Sequence, residues 1–348
     1  MGEPAPPSSA TLAALGLSGA TLTRFKTGLI NASWLARMQS GEHRVLQALN
    51  PIFPAAINRD IDAVTRHLQE QGIATPRLLP LTDGTLWLNA ENTVWRVLSY
   101  IPGETFERLD DPERVRSAAA LLARFHAALG DLEHEFANAR LGVHDLARHL
   151  EALRRALSTH TGHREYTAVA ALAAPILELA ATIAPLPPTA DRIVHGDPKI
   201  SNVVFDAATG AARCLIDLDT LARMPLPLEL GDALRSWCNP AGEDDAAAAL
   251  RLSLYRAAVE GYAAQAQNFI DAVEWRALPA ATLRITLELA ARFCADALNE
   301  RYFGWDDARY ASASAHNQAR ARSQLHLADS ILSQLDLLAA ETERAFSG

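Results

Sequence analysis

The sequence predicts an α+β fold with two lobes, a small β-sheet plus one helix followed by a larger, mainly helical lobe. Strand-like segments separated by Gly, Asn and Ser turns fill residues 21–101, and Ala-rich helical patterns run from Asp111 almost to the C-terminus. A chain of 348 residues is also long enough for about two domains. We therefore predict an N-terminal lobe of residues 1–101 and a C-terminal lobe of residues 102–348, joined by a hinge at about 98–104.

The elements of the N-terminal lobe are predicted from turn residues and apolar spacing. After a Pro- and Ser-rich start that we expect to be flexible, three strands form a meander with the sequences TLTRFKTGLI, SWLARMQ and HRVLQAL. Ile57, Ile61, Val64 and Leu68 recur at helical spacing and stop before Gly72, which predicts a helix of about twelve residues on this sheet. The segments TLWLNA and TVWRVLSYI complete a sheet of five strands.

The C-terminal lobe is predicted to be helical with one interruption. Val115, Leu122, Phe125 and Leu129 share one face of its first helix. Residues 192–219 are predicted instead to form a loop, a strand, a tight turn and a second strand. A hairpin therefore lies in the middle of helical sequence.

The tight turn sets the register of this predicted hairpin. If Asp206 and Ala211 flank the turn, the numbers of paired residues sum to about 417. Asn202 then lies opposite Leu215, and Asp217 lies one pair beyond it. The amide of Asn202 and the carboxylate of Asp217 are therefore predicted to lie side by side at one end of the hairpin, next to two apolar strands.

These polar groups suit phosphoryl-transfer chemistry. Carboxylate and amide oxygens gathered at one point suit a hard cation such as Mg²⁺, which also takes waters and substrate phosphates as ligands. Asp197 lies on the preceding loop, in the sequence HGDPKISN, and could accept a proton from an attacking hydroxyl. The positive charge of Lys199 could stabilise the transferred phosphoryl group.

The segment HGDPKISN followed by IDLD resembles the catalytic and metal-binding segments of the aminoglycoside phosphotransferase and choline kinase superfamily. The resemblance implies a protein-kinase-like fold and an ATP-dependent kinase of small molecules. It makes Asp197 the catalytic base and Asn202 and Asp217 the Mg²⁺ ligands. It also makes Asp219 a further acid near the metal or substrate, and it brings Lys199 to the γ-phosphate.

Other segments extend this resemblance along the chain. TGLINASW resembles the nucleotide-covering loop, which implies nucleotide contacts at Gly28 and Asn31. RVLSYIPG resembles the hinge, which implies adenine binding through backbone groups near Ser99 and Ile101. VLQALNPIFP, HGDPKISN and NERYF together resemble the N-acetylhexosamine 1-kinase branch, and this implies the anomeric hydroxyl of an N-acetylhexosamine as acceptor.

One position departs from the kinase pattern. The third strand of kinases usually ends with a lysine on the nucleotide phosphates, and here Gln47 stands at the expected place. Arg37 on the neighbouring strand or Lys199 from below could supply the missing charge. Strand alternation places Arg44 on the face opposite Gln47, so Arg44 is not expected to do so.

Several polar residues near the motifs have a structural interpretation. His195 is expected to hold the backbone of the catalytic segment, and Asp232 to be a helix N-cap or a loop brace. The usual helix glutamate has no clear counterpart, although Asp60 and Asp62 lie in the first turns of the expected helix. Weaker candidates for acceptor contacts are Arg235, Arg301 and Tyr302.

Composition excludes several classes of protein. The chain carries 32 Lys plus Arg and 41 Asp plus Glu, a net charge of −9 that would repel nucleic acid. No uninterrupted apolar run reaches the ~20 residues of a membrane span, and the N-terminus does not resemble an export signal. Three widely spaced cysteines, Cys214, Cys238 and Cys294, fit reduced and buried thiols. We expect a soluble, cytoplasmic protein whose partner is a small molecule, with the oligomeric state left open.

Two alternative functions remain open at this point. The first is a kinase of an amino alcohol or aminoglycoside, of the choline, homoserine or antibiotic type, and the net charge of −9 mildly favours such cationic substrates. The second is a catalytically silent nucleotide-binding regulatory protein, which the neutral Gln47 would suit. The presence of Asp197, Asn202 and Asp217 together argues against the second.

Overall fold

The computed structural model describes residues 6–25, 31–138, 142–266 and 268–348. It confirms the α+β class, with a small antiparallel sheet at the N-terminal end and a large helical part after it. Among these residues the sheet has the five strands that were predicted, and their spatial order is β1-β2-β3-β5-β4. Their bounds are β1 (Thr21–Arg24), β2 (Ala32–Arg37), β3 (His43–Leu49), β4 (Leu88–Ala90) and β5 (Thr93–Ser99).

Two helices accompany the sheet. The predicted helix between the third and fourth strands is confirmed as α2 (Ile57–Glu70). The start of the chain is not wholly flexible, because α1 (Ser9–Ala14) begins where the Ser8 hydroxyl accepts a hydrogen bond from Thr11 N. The expectation was wrong since the apolar residues that follow α1, such as Leu15, are buried against the sheet, a contact that local composition does not report.

The two faces of the sheet are buried against different cores. Leu46 and Trp95 point to the outer face, where Trp95 packs on Trp34 with 5.8 Å between ring centroids. Arg44 lies on this face as well, and its guanidinium reaches Gly16 O at 3.4 Å. The predicted placement of Arg44 opposite Gln47 is therefore confirmed.

The inner face of the sheet meets α2 and the helical lobe. Leu49 and Leu98 belong to a hydrophobic core that continues through α2 into the helices of the C-terminal part. Gln47 and Arg96 share this face, because β3 pairs with β5 in a register that sets them directly opposite each other. An arginine thus points into an otherwise apolar interior.

Helices build most of the C-terminal part. The first has the predicted face, since Val115, Leu122, Phe125 and Leu129 are all buried. No helix of the described residues is long and apolar enough to cross a membrane. The bounds are α3 (Pro112–Ala128), α4 (Leu146–Thr159), α5 (Tyr166–Thr182), α6 (Leu226–Trp237), α7 (Leu252–Ala266), α8 (Ala272–Arg276), α9 (Leu278–Asn299), α10 (Ala313–Leu332) and α11 (Leu335–Ser347).

The predicted hairpin is present as β7 (Val203–Phe205) and β8 (Ala212–Leu215). The predicted register holds beside the turn, where Phe205 pairs with Ala212. A bulge after this pair sets Val203 rather than Asn202 opposite Leu215, so that Asn202 O accepts from Ile216 N at 2.9 Å. The sequence prediction was wrong by one position because a bulge inserts one extra residue without an obvious sequence signal.

Two further strands, which the sequence analysis missed, frame this hairpin. They are β6 (Asp191–Val194) and β9 (Ala222–Pro225), and they pair antiparallel. The segment that follows β5 is attached to the hairpin, because Glu104 and Phe205 exchange two backbone hydrogen bonds of 2.9 and 2.8 Å. The first residues after the sheet are thereby tied to the segment that carries the candidate site.

Candidate active site

The loop between β6 and β7 brings three of the predicted site residues together. Lys199 Nζ lies 2.8 Å from Asp197 Oδ2. The Asn202 amide donates to Asp197 O at 2.8 Å and to Asp197 Oδ2 at 3.2 Å. A carboxylate, an ammonium and an amide therefore form one cluster at the end of β6.

The charges of this cluster are mutually stabilised. Burial by itself would raise the pKa of Asp197, but the neighbouring charge and hydrogen bond of Lys199 outweigh it and hold that pKa below its usual value. Burial would likewise lower the pKa of Lys199, but Asp197 and Asp217 raise it above its usual value. At neutral pH the site therefore presents an ionised carboxylate beside a protonated lysine.

His195 and Gly196 hold the backbone of the catalytic loop. Their N–H groups donate to the two oxygens of buried Glu229, at 2.9 and 3.0 Å. His195 Nε2 donates to Ile216 O at 2.8 Å, and His195 O accepts from the Thr220 hydroxyl at 2.9 Å. The predicted structural role of His195 is confirmed. Glu229 was missed, although an acid amid the apolar letters LPLELGDAL was a signal for it.

Helix α6 supports the other end of the same loop. Trp237 Nε1 donates to Pro198 O at 2.7 Å, and Ser236 Oγ accepts from Ile200 N at 3.2 Å. The loop is thus fixed from both sides, which keeps the Asp197 carboxylate in one position without any bound substrate.

Asp217 and Asn202 fit a hard divalent cation. Asp217 has a left-handed backbone, with φ 64° and ψ 54°, and among the described residues no group donates a hydrogen bond to its carboxylate. Burial and the charge of Asp219 raise the pKa of Asp217 to about 6. A partly buried carboxylate without a hydrogen-bond donor can be neutralised by a cation, and Asn202 leaves its amide oxygen for the same ion because its NH₂ binds Asp197.

The donor set suits Mg²⁺ better than a structural metal. The described part of the chain holds no group of three or more His, Cys, Asp or Glu side chains able to bind a metal ion. Two protein ligands leave the remaining positions to water and to substrate phosphates, the arrangement that Mg²⁺ favours.

Asp219 is not a free acid beside the metal or substrate. Arg96 binds it with both guanidinium ends, Nη1 at 2.6 Å from Oδ1 and Nη2 at 2.8 Å from Oδ2. The Asn31 amide donates to Asp219 Oδ2 as well, and Asn31 Oδ1 accepts from Asn50 N at 2.9 Å. This carboxylate is therefore held in a buried ion pair, and its implied position near the metal or substrate stays a prediction. The Asn31 side chain is brought to the site, and a nucleotide contact of Asn31 stays a prediction.

Among the described residues, Arg96 is a cation in direct contact with Gln47, which stands at the position of the missing lysine. Its Nε donates to Gln47 Oε1 at 2.9 Å. Arg37, which we expected as one source of the charge, is exposed at the end of β2, and Lys199 is engaged with Asp197. Sequence reasoning missed Arg96, although alternation along β5 already placed a charged residue on a face otherwise occupied by Val94 and Leu98.

The two acids in the first turns of α2, Asp60 and Asp62, bind residues other than Arg96. Asp60 Oδ1 accepts from His134 Nε2 and Ala137 N, both at 2.9 Å, so it holds the loop after α3. Asp62 pairs with Arg77 at 3.1 Å. Neither acid occupies the place of the usual helix glutamate.

The hinge residues differ in what they can offer a nucleotide. Ser99 N already donates to Arg77 O, and Ser99 Oγ accepts from Arg77 N, both at 2.9 Å. Ile101 makes no backbone hydrogen bond to any residue that the structure describes. Adenine binding at Ile101 stays a prediction. Adenine binding at Ser99 would have to use the Ser99 carbonyl, because the Ser99 N–H is already engaged. The predicted nucleotide contact of Gly28 lies outside the described residues.

Paired charges lie near Asp197 on helix α6 and the segment after it. Arg235 is buried, its Nε lies 2.9 Å from Asp232 Oδ1, and its Nη1 lies 3.5 Å from Glu243 Oε1. Asp232 is in the middle of α6 and pairs with Arg235 of the same helix, so the N-cap interpretation was wrong, and a role as a loop brace stays a prediction. Burial would lower the pKa of Arg235, but Asp232 and Glu243 raise it, so the side chain stays charged. The exposed Tyr302 makes no contact with this group among the described residues.

The fold and the site together define a class of enzyme. A sheet lobe and a helical lobe meet at a loop that carries an ionised aspartate beside a protonated lysine, and the candidate metal ligands Asn202 and Asp217 flank the hairpin that follows. This arrangement is typical of a kinase-like phosphotransferase. Residues 21–266 match the phosphotransferase enzyme family known as APH. The chain belongs to this family, and it is a small-molecule kinase that phosphorylates hydroxyl groups.

Solved structures agree on the fold. A microcompartment-associated aminopropanol kinase aligns with a TM-score of 0.65 at 17% identity, covering 94% of this chain and 98% of that one. A choline kinase from Cryptosporidium parvum aligns with a TM-score of 0.56 at 11% identity, covering 94% of each chain. An amicoumacin kinase in complex with AMP-PNP and Ca²⁺ aligns with a TM-score of 0.57 at 14% identity, covering 86% of this chain and 87% of that one. At these identities the likeness concerns the fold alone.

Proposed function

We propose that the protein transfers the γ-phosphoryl group of ATP to the anomeric hydroxyl of an N-acetylated hexosamine. The observation that carries the chemistry is the cluster in which Asp197 contacts Lys199 at 2.8 Å and Asn202 at 3.2 Å. The acceptor oxygen attacks the γ-phosphorus, the bond from that phosphorus to the β-phosphate oxygen breaks, and ADP leaves. Asp197 orients the hydroxyl and accepts its proton, while Lys199 stabilises the charge of the transferred group.

A divalent cation completes this site in the proposal. Asn202 and Asp217 would hold Mg²⁺, which supplies neutralisation of the phosphate charge. The solved amicoumacin kinase complex with AMP-PNP and Ca²⁺ supports a nucleotide and a divalent ion as the family's requirement. We further propose that adenine binds the backbone at Ile101, and that residues 1–101 and 102–348 close on the nucleotide about a hinge at 98–104.

The charge balance beside Asp197 favours a neutral, hydroxyl-rich acceptor. Asp232 and Glu243 are both engaged by Arg235. The next acid along the chain, Asp244, is held by Arg309 at 2.8 Å and by His316 at 3.1 Å. Paired carboxylates and arginines offer acceptors and donors to sugar hydroxyls, whereas a cationic acceptor would gain more from an unpaired acid. The N-acetylhexosamine 1-kinase resemblance of the sequence supports the same choice.

An amino alcohol or aminoglycoside is the second candidate acceptor. Solved kinases of aminopropanol and choline share the fold, and the net charge of −9 favours a cation at long range. The three unpaired and buried cysteines suit a reducing compartment, so we assign either activity to the cytoplasm.

The test is ADP release with Mg²⁺ and ATP across a panel of acceptors. The panel contains N-acetylglucosamine, N-acetylgalactosamine, plain hexoses, choline, homoserine and kanamycin. Asp197→Asn is the matched control, because it removes the ionised base while leaving nearly the same shape. We expect the variant to lose turnover by at least about 100-fold and to keep ATP binding.

The outcomes separate the candidates. Selective turnover of the N-acetylhexosamines, with a ³¹P spectrum of an anomeric phosphate, supports the proposal. Turnover of the cationic acceptors alone retains the enzyme class and overturns the sugar assignment. Full activity in the Asp197 variant would overturn the role of that carboxylate, and no turnover with any acceptor would overturn the proposed substrate range.

A further inference from the structure

We propose that Arg96 is the residue of the N-terminal lobe that binds the nucleotide phosphates, in place of the lysine that Gln47 lacks. This inference rests on the proposed ATP-dependent function. It assigns a phosphate-binding role to a residue on the fifth strand, whereas kinases usually place that role on the third.

The first support is the register of the sheet. Gln47 on β3 and Arg96 on β5 are direct partners in an antiparallel pair, and both point to the inner face. Side chains of such partners start only about 5 Å apart. A guanidinium that begins at Arg96 can therefore reach the space that a lysine at position 47 would fill.

The second support is the way the guanidinium is held. Gln47 Oε1 accepts from Nε, Asn58 Oδ1 accepts from Nη1 at 3.2 Å, and Asp219 accepts from both Nη1 and Nη2. These contacts use four of the five N–H groups of an arginine, and the residues that the structure describes leave one N–H group on Nη2 without an acceptor. The side chain is thus fixed in place with one donor remaining for a ligand.

The third support is the position of its ion-pair partner. In protein kinases the strand lysine must pair with a helix glutamate before the site is competent. Here Asp219 plays the part of that glutamate, and it lies two residues beyond the candidate metal ligand Asp217. The ion pair therefore sets the positive charge of Arg96 beside the place where metal-bound phosphates would lie.

Among the described residues, the other arginines of the neighbouring strands do not point to the inner face beside Gln47, and Lys26 lies outside the described residues. Arg44 is on the outer face with Glu42, Arg24 packs over the Trp34 ring, and Arg37 is exposed. Arg96, by contrast, is 2% exposed on the inner face. Its buried charge is compensated by Asp219, which keeps the guanidinium ionised and in place on the face that meets the helical lobe.

A purely structural role is the rival explanation, because the pair joins β5 to the segment after β8. The two roles differ in how nucleotide affinity depends on the number of phosphates. A phosphate-binding residue affects ATP and ADP but leaves adenosine unchanged. A structural latch affects all nucleosides and nucleotides alike.

The experiment is calorimetric binding of adenosine, AMP, ADP and ATP to the full chain, with Mg²⁺, and it needs no acceptor or turnover. The variants are Arg96→Gln and the neutral double variant Arg96→Gln/Asp219→Asn, which removes both charges so that no buried charge stays unpaired. Arg44→Gln is the matched control, an arginine of the same sheet on the other face.

We expect both Arg96 variants to bind ATP about 10- to 100-fold more weakly and adenosine within about twofold of the wild type. The Arg44 variant should bind ATP and adenosine with the same affinities as the wild type. Should Arg96→Gln fail to fold, the double variant carries the test. ATP affinity within twofold of wild type in the double variant, or an equal loss for adenosine and ATP, would overturn the inference. Failure of the wild type to bind ATP at all would instead overturn the proposed function.

Discussion

Two carboxylates separated by a single residue should respond to neutralisation with opposite signs. Asp217 has a raised pKa and no hydrogen-bond donor among the described residues, whereas Asp219 is bound by Arg96. We therefore predict that Asp217→Asn raises the melting temperature and that Asp219→Asn lowers it. Asparagine is well tolerated in the left-handed conformation of position 217, so backbone strain does not confound the comparison.

The magnitude follows from the pKa of Asp217. Its rise from 3.8 to about 6 means that ionisation opposes folding by about 3 kcal/mol at neutral pH. A chain of 348 residues unfolds with an entropy of about 0.7 kcal/mol/K, so Asp217→Asn should gain up to about 4 °C. Asp219→Asn breaks a buried ion pair. It should lower the free energy of unfolding by about 3–5 kcal/mol and the melting temperature by about 4–7 °C.

The sign of the pH dependence provides a second check. Because folding raises the pKa of Asp217, its destabilising effect is absent below the unfolded value of 3.8 and complete above about 6. The gain from Asp217→Asn should vanish near pH 4, grow up to pH 6 and stay level at higher pH. Mg²⁺ should raise the melting temperature of the wild type but not that of this variant.

Scanning fluorimetry between pH 4 and 8, with EDTA or with Mg²⁺, measures all of these shifts. The wild type and both variants are compared in the same buffers, so the differences do not depend on the absolute stability. A melting temperature of Asp217→Asn at or below the wild type at pH 7.5 in EDTA would refute the reasoning. A change of melting temperature in the same direction for both variants would also refute the reasoning.

Two further predictions concern the frame of the catalytic loop. Gly196 has φ +79° and a Cβ there would lie 2.1 Å from Thr220 O, so Gly196→Ala should destabilise by at least about 3 kcal/mol in urea unfolding. Gly72→Ala is the control, because Gly72 has φ +75° but open space around it. This variant should lower the free energy of unfolding by about 1 kcal/mol. Equal losses in the two variants would contradict the steric argument. Glu229→Gln should destabilise by about 1–3 kcal/mol and reduce kcat with little change in KM for ATP, because Glu229 holds the backbone at His195 rather than the nucleotide. An unchanged kcat would show that the loop does not need this carboxylate.

Local patterns in the chain were sufficient for the fold class and for the placement of the candidate site residues near each other, while the roles of those residues stay predictions. Alternation and turn residues predicted five strands and the helix between them, and the spacing of HGDPKISN and IDLD brought Asp197, Asn202 and Asp217 to one hairpin end. These inferences succeeded because the residues concerned lie within about twenty positions of each other. Their geometry is then set mostly by a single turn and two short strands.

Only the tertiary structure decided which charges face each other. Arg96 and Asp219 are 123 positions apart, so their ion pair exists only because the sheet packs on the helical lobe at one distance and angle. The same packing buries Glu229 beneath the loop, 34 positions from His195, and places Asp232 inside a helix rather than at its end. A sequence states which residues carry charge, but the free energy of each charge depends on burial and on partners that folding brings from distant segments.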